Sequence, residues 1–216
     1  MCTAPRQSCS ADSSFGLCAA SVPDEGKYAQ AEELWGQALD IQRRALGPEH
    51  PDTLETLSNL ASTYQQQRKY SMAENYAVRA LAGRRHALGN ENPDTMGSLA
   101  DLALACLSEG KFAESETLAR EAMDIGSKIQ PDSWQRFRAE SLLAASLAGQ
   151  KRFAEAEPLL LEGYKGMAAR KYRMAAADRY HLDRAREWIL ELYKAWSKPQ
   201  MAAAWRKKME VRDEAR

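Results

Sequence analysis

The chain has 216 residues, of which 30 are basic and 30 acidic, so its formal net charge is zero. That balance argues against a dedicated nucleic-acid binder, because such proteins carry an excess of basic side chains. Ala and Leu supply 37 and 23 residues, whereas Ile and Val supply only 4 and 3. Since a β-sheet core draws on β-branched residues and since Ala and Leu favour helices, this composition predicts an all-α fold.

Residues 1–24 differ from the rest of the chain, and we expect them to form a non-repeat, disordered leader. They hold Cys2, Cys9 and Cys18 and show little helical periodicity. The stretch lacks the basic start and the unbroken apolar run of a secretory signal. No apolar run in the chain approaches the roughly 18 residues of a membrane-spanning helix. We therefore expect a cytoplasmic protein with reduced thiols and no membrane partner.

The first predicted helix covers residues 26–46 and aligns with the second helices of the units that follow. We therefore interpret it as the second helix of a truncated repeat. A degenerate first helix at residues 11–25 is the alternative. Four side chains would fall on packing positions of that helix: Phe15, Cys18, Ala19 and Val22. Without such a partner, residues 26–46 would expose an apolar patch made of Leu34, Trp35 and Ala38. The patch near Trp35 is thus a candidate surface for self-association, or for contact with a preceding part of a longer protein.

A sequence repeat of 42 residues begins at positions 46–54, which recur in altered form at positions 88–96. The same spacing relates Tyr28, Tyr70 and Phe112. Further steps of 41 and 46 residues lead on to Phe153 and, with Ala156 as the starting point, to Ala202. Periods of this length are typical of arrays of helix pairs.

Each unit is predicted to contain two helices. In the first full unit, Leu54, Leu57 and Leu60 give residues 53–67 one apolar face, and Asp52 is the expected N-cap residue. Residues 71–88 form the second helix of that unit. The same pattern predicts repeats at 53–88, 95–129 and 133–170, a final pair with a cap at 179–211, and a tail at 212–216. The solenoid would then cover residues 25–211.

Small and aromatic residues recur at fixed structural positions within these units. They are Ala61, Tyr64, Ala73, Ala80, Ala103, Cys106, Ala122, Ala144 and Ala156. This pattern resembles that of tetratricopeptide (TPR) repeats, in the longer form found in kinesin light chains. The end of the chain also resembles the C-terminal repeat region of bacterial serine/threonine kinases. The resemblance implies a right-handed α-solenoid of antiparallel helix pairs with about three and a half to four repeats.

Packing explains the same positions without reference to the family. Small residues such as Ala73 let helix backbones approach closely, while larger neighbours fill the space beside them. One helix pair cannot bury its apolar face alone, so successive pairs stack.

No catalytic motif is present in the sequence, and we predict no enzyme activity, no cofactor and no metal site. Gly110-Lys111 is followed by Phe112, so it does not make a phosphate-binding loop. The Gly-rich loop and the catalytic loop of protein kinases are absent as well. Cys106 replaces an aromatic core residue and is expected to be a buried, inert thiol.

The family resemblance implies that the first helix of each repeat lines a concave groove. The candidate partner-binding residues are Glu55, Ser58, Asn59, Ser62, Gln65, Gln66, Ala100, Asp101, Leu104, Arg138, Ser141 and Ala145. In kinesin-light-chain-like repeats an Asn at the position of Asn59 can hydrogen-bond a peptide backbone, but Asp101 and Leu142 replace it in the later repeats of this chain. The sequence therefore predicts a non-catalytic module for a protein or peptide partner. Two alternatives remain: a solvated scaffold without a groove ligand, and the regulatory tail of a signalling enzyme such as a serine/threonine kinase.

Overall fold

The computed structural model describes the backbone of residues 25–214 and the side chains of residues 28–209. Within these limits every long element is a helix, which confirms the all-α prediction. The helices are α1 (Glu25–Ala45), α2 (Pro51–Gln66), α3 (Tyr70–Leu88), α4 (Pro93–Ser108), α5 (Phe112–Ile129), α6 (Trp134–Gly149), α7 (Phe153–Ala169), α8 (Tyr180–Ala195) and α9 (Pro199–Glu214). The leader at 1–24 and its candidate helix positions, including Phe15, Cys18, Ala19 and Val22, lie outside the described residues.

Helices α2 and α4 begin in the same way, with a proline in the first turn and a capping side chain before it. The Nδ1 atom of His50 accepts a hydrogen bond from the backbone N–H of Asp52 at 3.3 Å. The Oδ1 atom of Asn92 accepts from the N–H of Asp94 at 2.8 Å. The prediction of Asp52 as N-cap is wrong: it lies inside the helix, where its charge favours the positive end of the helix dipole.

The repeated linker forms the same turn at both of its occurrences. The hydroxyl of Thr53 donates to the carbonyl of Gly47 at 2.8 Å, and that of Thr95 donates to the carbonyl of Gly89 at 2.8 Å. Both glycines have positive φ, at 95° and 81°, which favours glycine over residues with a Cβ atom. The 42-residue sequence repeat is therefore a repeat of backbone geometry.

Close helix contacts occupy the positions where the sequence places small residues. The recurring residues are all buried, namely Ala61, Tyr64, Ala73, Ala80, Ala103, Cys106, Ala122, Ala144 and Ala156. Gly163 on α7 shows how tight these contacts are. A Cβ atom there would lie 2.8 Å from the carbonyl oxygen of Phe137 and 2.9 Å from the backbone nitrogen of Ser141 on α6.

The exposure predicted for Trp35 is wrong. This side chain is only 6% exposed, and Ala31 and Leu39 are buried beside it. They share a core cluster with residues of α2, because a second helix also packs against the first helix of the next repeat. Leu34 is exposed as expected, at 57%, together with Ile41 at 67%.

The C-terminal helix packs on one face and leaves a polar surface on the other. Trp205 and Met209 are buried, and both contact Tyr164 of α7. Arg206, Lys207 and Lys208 are exposed. Helix α9 extends to Glu214, so it runs into the tail that we predicted at 212–216.

The linker between α7 and α8 is longer than the other connections between repeats. It covers residues 170–179, whereas α3 and α4 are joined by residues 89–92 and α5 and α6 by residues 130–133. Arg170 and Arg173 pair with Asp132, which fastens the start of this linker to the preceding one. The added length accounts for the irregular last step of the sequence repeat.

Candidate partner-binding groove

First helices of consecutive repeats contact one another, so α2, α4, α6 and α8 line the inner face of the array. The predicted groove residues of α2 are accessible there. Glu55 and Gln66 are exposed, and four others are half-buried: Ser58, Asn59, Ser62 and Gln65. Accessibility falls further along the groove. Asp101 is half-buried, while the other predicted residues are buried: Ala100, Leu104, Arg138, Ser141 and Ala145.

Ser141 is a groove residue by sequence spacing but a packing residue in the structure. Its hydroxyl donates to the carbonyl of Phe137 at 3.0 Å, and its side chain lies against Gly163 of α7. The helix surface that we assigned to the groove is thus turned toward α7 at this point. The reason is the close approach of α7, which only a glycine at position 163 allows.

The inserted segment, residues 174–181, covers part of the inner face. It comprises the end of the α7–α8 linker and the first two residues of α8. A cavity of about 230 Å³ remains between this segment and the helices around it. Its lining residues include Tyr28, Trp35, Ser58, Asn59, Ser62, Asp101, Arg138, Asp178, Tyr180 and His181. We call this covered region the closed half of the groove.

Arg138 is the central charge of the closed half. Its guanidinium donates to the carboxylate of Asp101 at 2.7 Å, although Arg138 is only 6% exposed. Burial disfavours the charge, but Asp101, Tyr180 and Asp178 outweigh it and raise the pKa of Arg138. The Nε atom of Arg138 is buried without a hydrogen-bond acceptor. Such an atom leaves room for a further acceptor in this cavity.

Three titratable residues of the inserted segment, Asp178, Tyr180 and His181, have pKa values shifted toward their neutral forms. Burial raises the pKa of Asp178, and nearby Asp101 adds to that shift, while Arg138 opposes it. Burial also raises the pKa of Tyr180. The pKa of His181 lies well below its ordinary value, because of burial first and of the positive charge on Arg138 second. His181 is therefore a neutral imidazole at physiological pH.

Aromatic contacts hold the end of the segment. The ring of His181 lies 3.9 Å from that of Tyr180 and stacks against Trp134 of α6 at 6.1 Å. Tyr180 also lines a small void between α2 and α4, together with Ser62 and Leu104. The segment thus reaches from the fourth helix pair to the first.

Beyond Tyr180 the inner face stays accessible as what we call the open channel. Two adjoining openings of about 340 and 350 Å³ share Tyr70 and Arg184. Most of the side chains that line the opening of about 340 Å³ are apolar, namely Leu107, Phe112, Ala145, Ala148, Trp188, Leu192 and Ala195. The charged lining residues are Arg68, Arg184 and Glu191. Arg184 pairs with Glu187 at 3.0 Å.

Sequence reasoning missed most of the open channel. Tyr70 and Phe112 open second helices, which we did not assign to the groove. Trp188 and Arg184 belong to α8, which is the first helix of the final pair. The sequence could have identified Arg184 and Trp188, because the groove pattern of the earlier first helices also applies to α8.

Among the described residues, Glu74, Cys106 and Glu114 form the group whose atoms lie close enough to suggest a metal site. Burial, together with the charges of Glu74 and Glu114, raises the pKa of the Cys106 thiol to about 12. The Nζ atom of Lys111 lies 2.7 and 2.9 Å from the two carboxylate oxygens of Glu74. The Cys106 thiol is therefore protonated, and the Glu74 carboxylate is already paired with Lys111. We interpret the group as an ion pair, Glu74 with Lys111, beside a core cysteine.

No helix within residues 25–214 has the length and apolar content needed to cross a membrane.

Comparison with known proteins agrees with this architecture. Residues 24–86 match the tetratricopeptide repeat family model. A protein named as a kinesin light chain of Podosopora anserina, with nearly identical TPR-like repeats, superposes with a TM-score of 0.63 at 22% identity, over 86% of this chain and 87% of that one. BtubC (BKLC) from P. vanneervenii gives a TM-score of 0.66 at 20% identity, over 88% and 75%. No curated protein matches the sequence. Residues 24–86 therefore match tetratricopeptide repeats, and the fold of the described chain is similar to the repeat solenoids of these two structures.

Proposed function

We propose that this chain is a non-catalytic interaction module that binds a segment of a partner protein in the open channel. The observation that carries the proposal is an apolar, aromatic-lined channel on the inner face of a TPR solenoid. Folds of this kind generally mediate protein–protein contacts. Phe112 and Trp188 offer large apolar surfaces, and such surfaces dominate the energy of protein interfaces.

The dimensions of the channel suit a short segment rather than a folded domain. Its two openings, of about 340 and 350 Å³, have the volume of a few side chains. Arg184 and Glu191 stand among the apolar lining residues and would orient the bound segment through polar contacts. The expected partner is an extended or helical segment with at least one large apolar side chain.

The predicted groove residues keep separate roles in this proposal. Gln65 and Gln66 line the channel together with Leu104, so they are proposed contact residues. Ser58, Asn59, Ser62 and Arg138 belong to the closed half. The cytoplasmic location and the kinase-tail interpretation stay predictions, and an interaction module would serve a free-standing chain and a docking domain equally well.

A charge introduced into the channel tests the proposal. Peptides are first selected from a displayed random library on the full chain, and their affinities are measured by fluorescence anisotropy. Ala148 lines the channel near the end of α6, so Ala148→Lys should weaken binding at least about tenfold, or about 1.4 kcal/mol.

Ala169 provides the matched control for that variant. It is exposed at the end of α7, so Ala169→Lys adds the same charge at a comparable helix position outside the channel. We expect unchanged affinity. Equal losses in both variants, or a failure to select any peptide, would contradict binding in the open channel.

A further inference from the structure

The α7–α8 linker has more residues than the turn between repeats requires. Four residues, 89–92 and 130–133, connect the earlier pairs, whereas residues 170–179 connect the last two. The extra residues could have formed an external loop. Instead, Met174 is buried at 3% exposure, and the chain then runs onto the inner face.

The inserted segment contacts parts of the array that its neighbours in sequence would not reach. Tyr180 belongs to the fourth helix pair, yet its ring lines a void with Ala61 and Ser62 of the first full repeat. Asp178 and His181 line the same cavity as Arg138 of the third repeat. The segment thus spans successive first helices, as a bound partner segment would.

The packing of this segment is incomplete, in contrast with the helices around it. A cavity of about 230 Å³ lies beneath it, and the Nε of Arg138 has no acceptor there. Ala175, Ala176, Ala177 and Arg179 are exposed. Before α8 begins at Tyr180, its regular structure is a single 3₁₀ turn at Ala176–Arg179. Segments that open locally typically make few buried contacts, as this one does.

We propose that residues 174–181 are a displaceable occupant of the groove, which conceals a second binding surface formed by Ser58, Asn59, Ser62, Asp101 and Arg138. Arg170, which pairs with Asp132, on one side and the body of α8 on the other act as hinges. The surface suits a partner segment that fills the cavity and offers an acceptor, such as a backbone carbonyl, to the Nε of Arg138. Binding of a partner at this second surface rests on the proposed function, whereas local opening of the segment does not.

Limited trypsin digestion of the wild-type chain tests local opening directly. Arg179 lies in the segment, and Arg138 lies buried in α6, where cleavage requires global unfolding. Cleavage follows the population of the open form when opening is fast. We expect cleavage after Arg179 under conditions where the bond after Arg138 stays intact. Cleavage at both sites with one rate would overturn the proposal.

A pair of tyrosine variants ties the opening to the groove contact. Tyr180→Ala removes the side chain that enters the groove, whereas Tyr172, in the linker before it, is 92% exposed and touches little. Tyr180→Ala should speed cleavage after Arg179 at least about tenfold, and Tyr172→Ala should leave it unchanged. Equal rates in the two variants would contradict a seated Tyr180. Thermal melting of both shows whether the rest of the fold is retained.

Peptide binding then separates this inference from the proposed function. Peptides are selected on the Tyr180→Ala chain, and their affinity for wild type and for the Tyr172→Ala control is measured. A concealed surface predicts that wild type and the Tyr172→Ala control both bind about tenfold more weakly than the Tyr180→Ala chain. It also predicts that adding Asn59→Ala to the Tyr180→Ala chain abolishes binding. Equal affinity for all three chains refutes concealment, even if the open channel binds its own peptides.

Discussion

Arg138 of α6 and Asp101 of α4 form an ion pair at 2.7 Å that joins two successive first helices at the floor of the groove. The side chains are only 7% and 21% exposed. Removing one partner leaves the other charge poorly solvated, so Asp101→Ala should lower the free energy of unfolding by about 3 kcal/mol.

The exposed pair of Lys128 and Glu91 gives the control, with side chains 65% and 64% exposed. Glu91→Ala should lower stability by less than about 1 kcal/mol. Urea unfolding of both variants provides the comparison. Similar losses would mean that the Arg138–Asp101 pair is as well solvated as a surface pair.

Ala73 tests the close contact between α3 and its neighbours. This residue is 1% exposed, so Ala73→Leu should overpack the interface and destabilise the chain by about 1–3 kcal/mol. Ala82 lies on the same helix but is exposed, and Ala82→Leu should change stability by less than about 0.5 kcal/mol. Thermal melts of the two variants that coincide would place Ala73 outside the core.

Two glycines should respond to alanine with opposite signs. At Gly163 a Cβ atom would meet backbone atoms of α6 at 2.8 and 2.9 Å, so Gly163→Ala should destabilise the fold by about 1–3 kcal/mol. At Gly97, inside α4, nothing lies within 4 Å, so Gly97→Ala should stabilise by up to about 1 kcal/mol. Denaturant midpoints of the two variants supply the signs, and a stabilised Gly163→Ala would refute the close α6–α7 contact.

His181 should make stability depend on pH in mildly acidic solution. Its pKa in the folded chain lies below the ordinary value of 6.5, so the unfolded chain binds the proton first as pH falls. Stability is therefore full above pH 6.5 and declines below it, by up to about 1.4 kcal/mol per pH unit, until the folded chain is protonated as well. The pH dependence of urea unfolding should flatten below pH 6.5 in His181→Phe; a profile as steep as that of wild type would assign the dependence to other groups.

Local sequence features predicted the helices well because they have local physical causes. The prolines and the Thr53 and Thr95 hydroxyls act within a few residues of their own turns. Spacing also identified the buried small positions such as Ala73. The capping role assigned to Asp52 was wrong by two residues, since the imidazole of His50 accepts the bond instead.

The groove was harder to predict because it depends on contacts between distant parts of the chain. Trp35 is buried by α2, and Ser141 is turned toward α7, through neighbours that periodicity alone does not specify. The burial of Arg138 depends on Asp178 at the end of the α7–α8 linker and on Tyr180 at the start of α8. That linker was visible in the sequence only as extra length, which carries no information about its direction.

The reach of Tyr180 across the array has a consequence for cooperativity. A regular solenoid is nearly a one-dimensional chain of nearest neighbours, so its ends can fray independently. Here Tyr180 lines a void together with residues of the first full pair, which brings units that do not adjoin next to one another. Deleting or duplicating one internal repeat would move α8 out of reach of α2. Among the described helices, this contact thus restricts how many repeats can lie between α2 and α8, and the first full pair and the last pair are expected to unfold together.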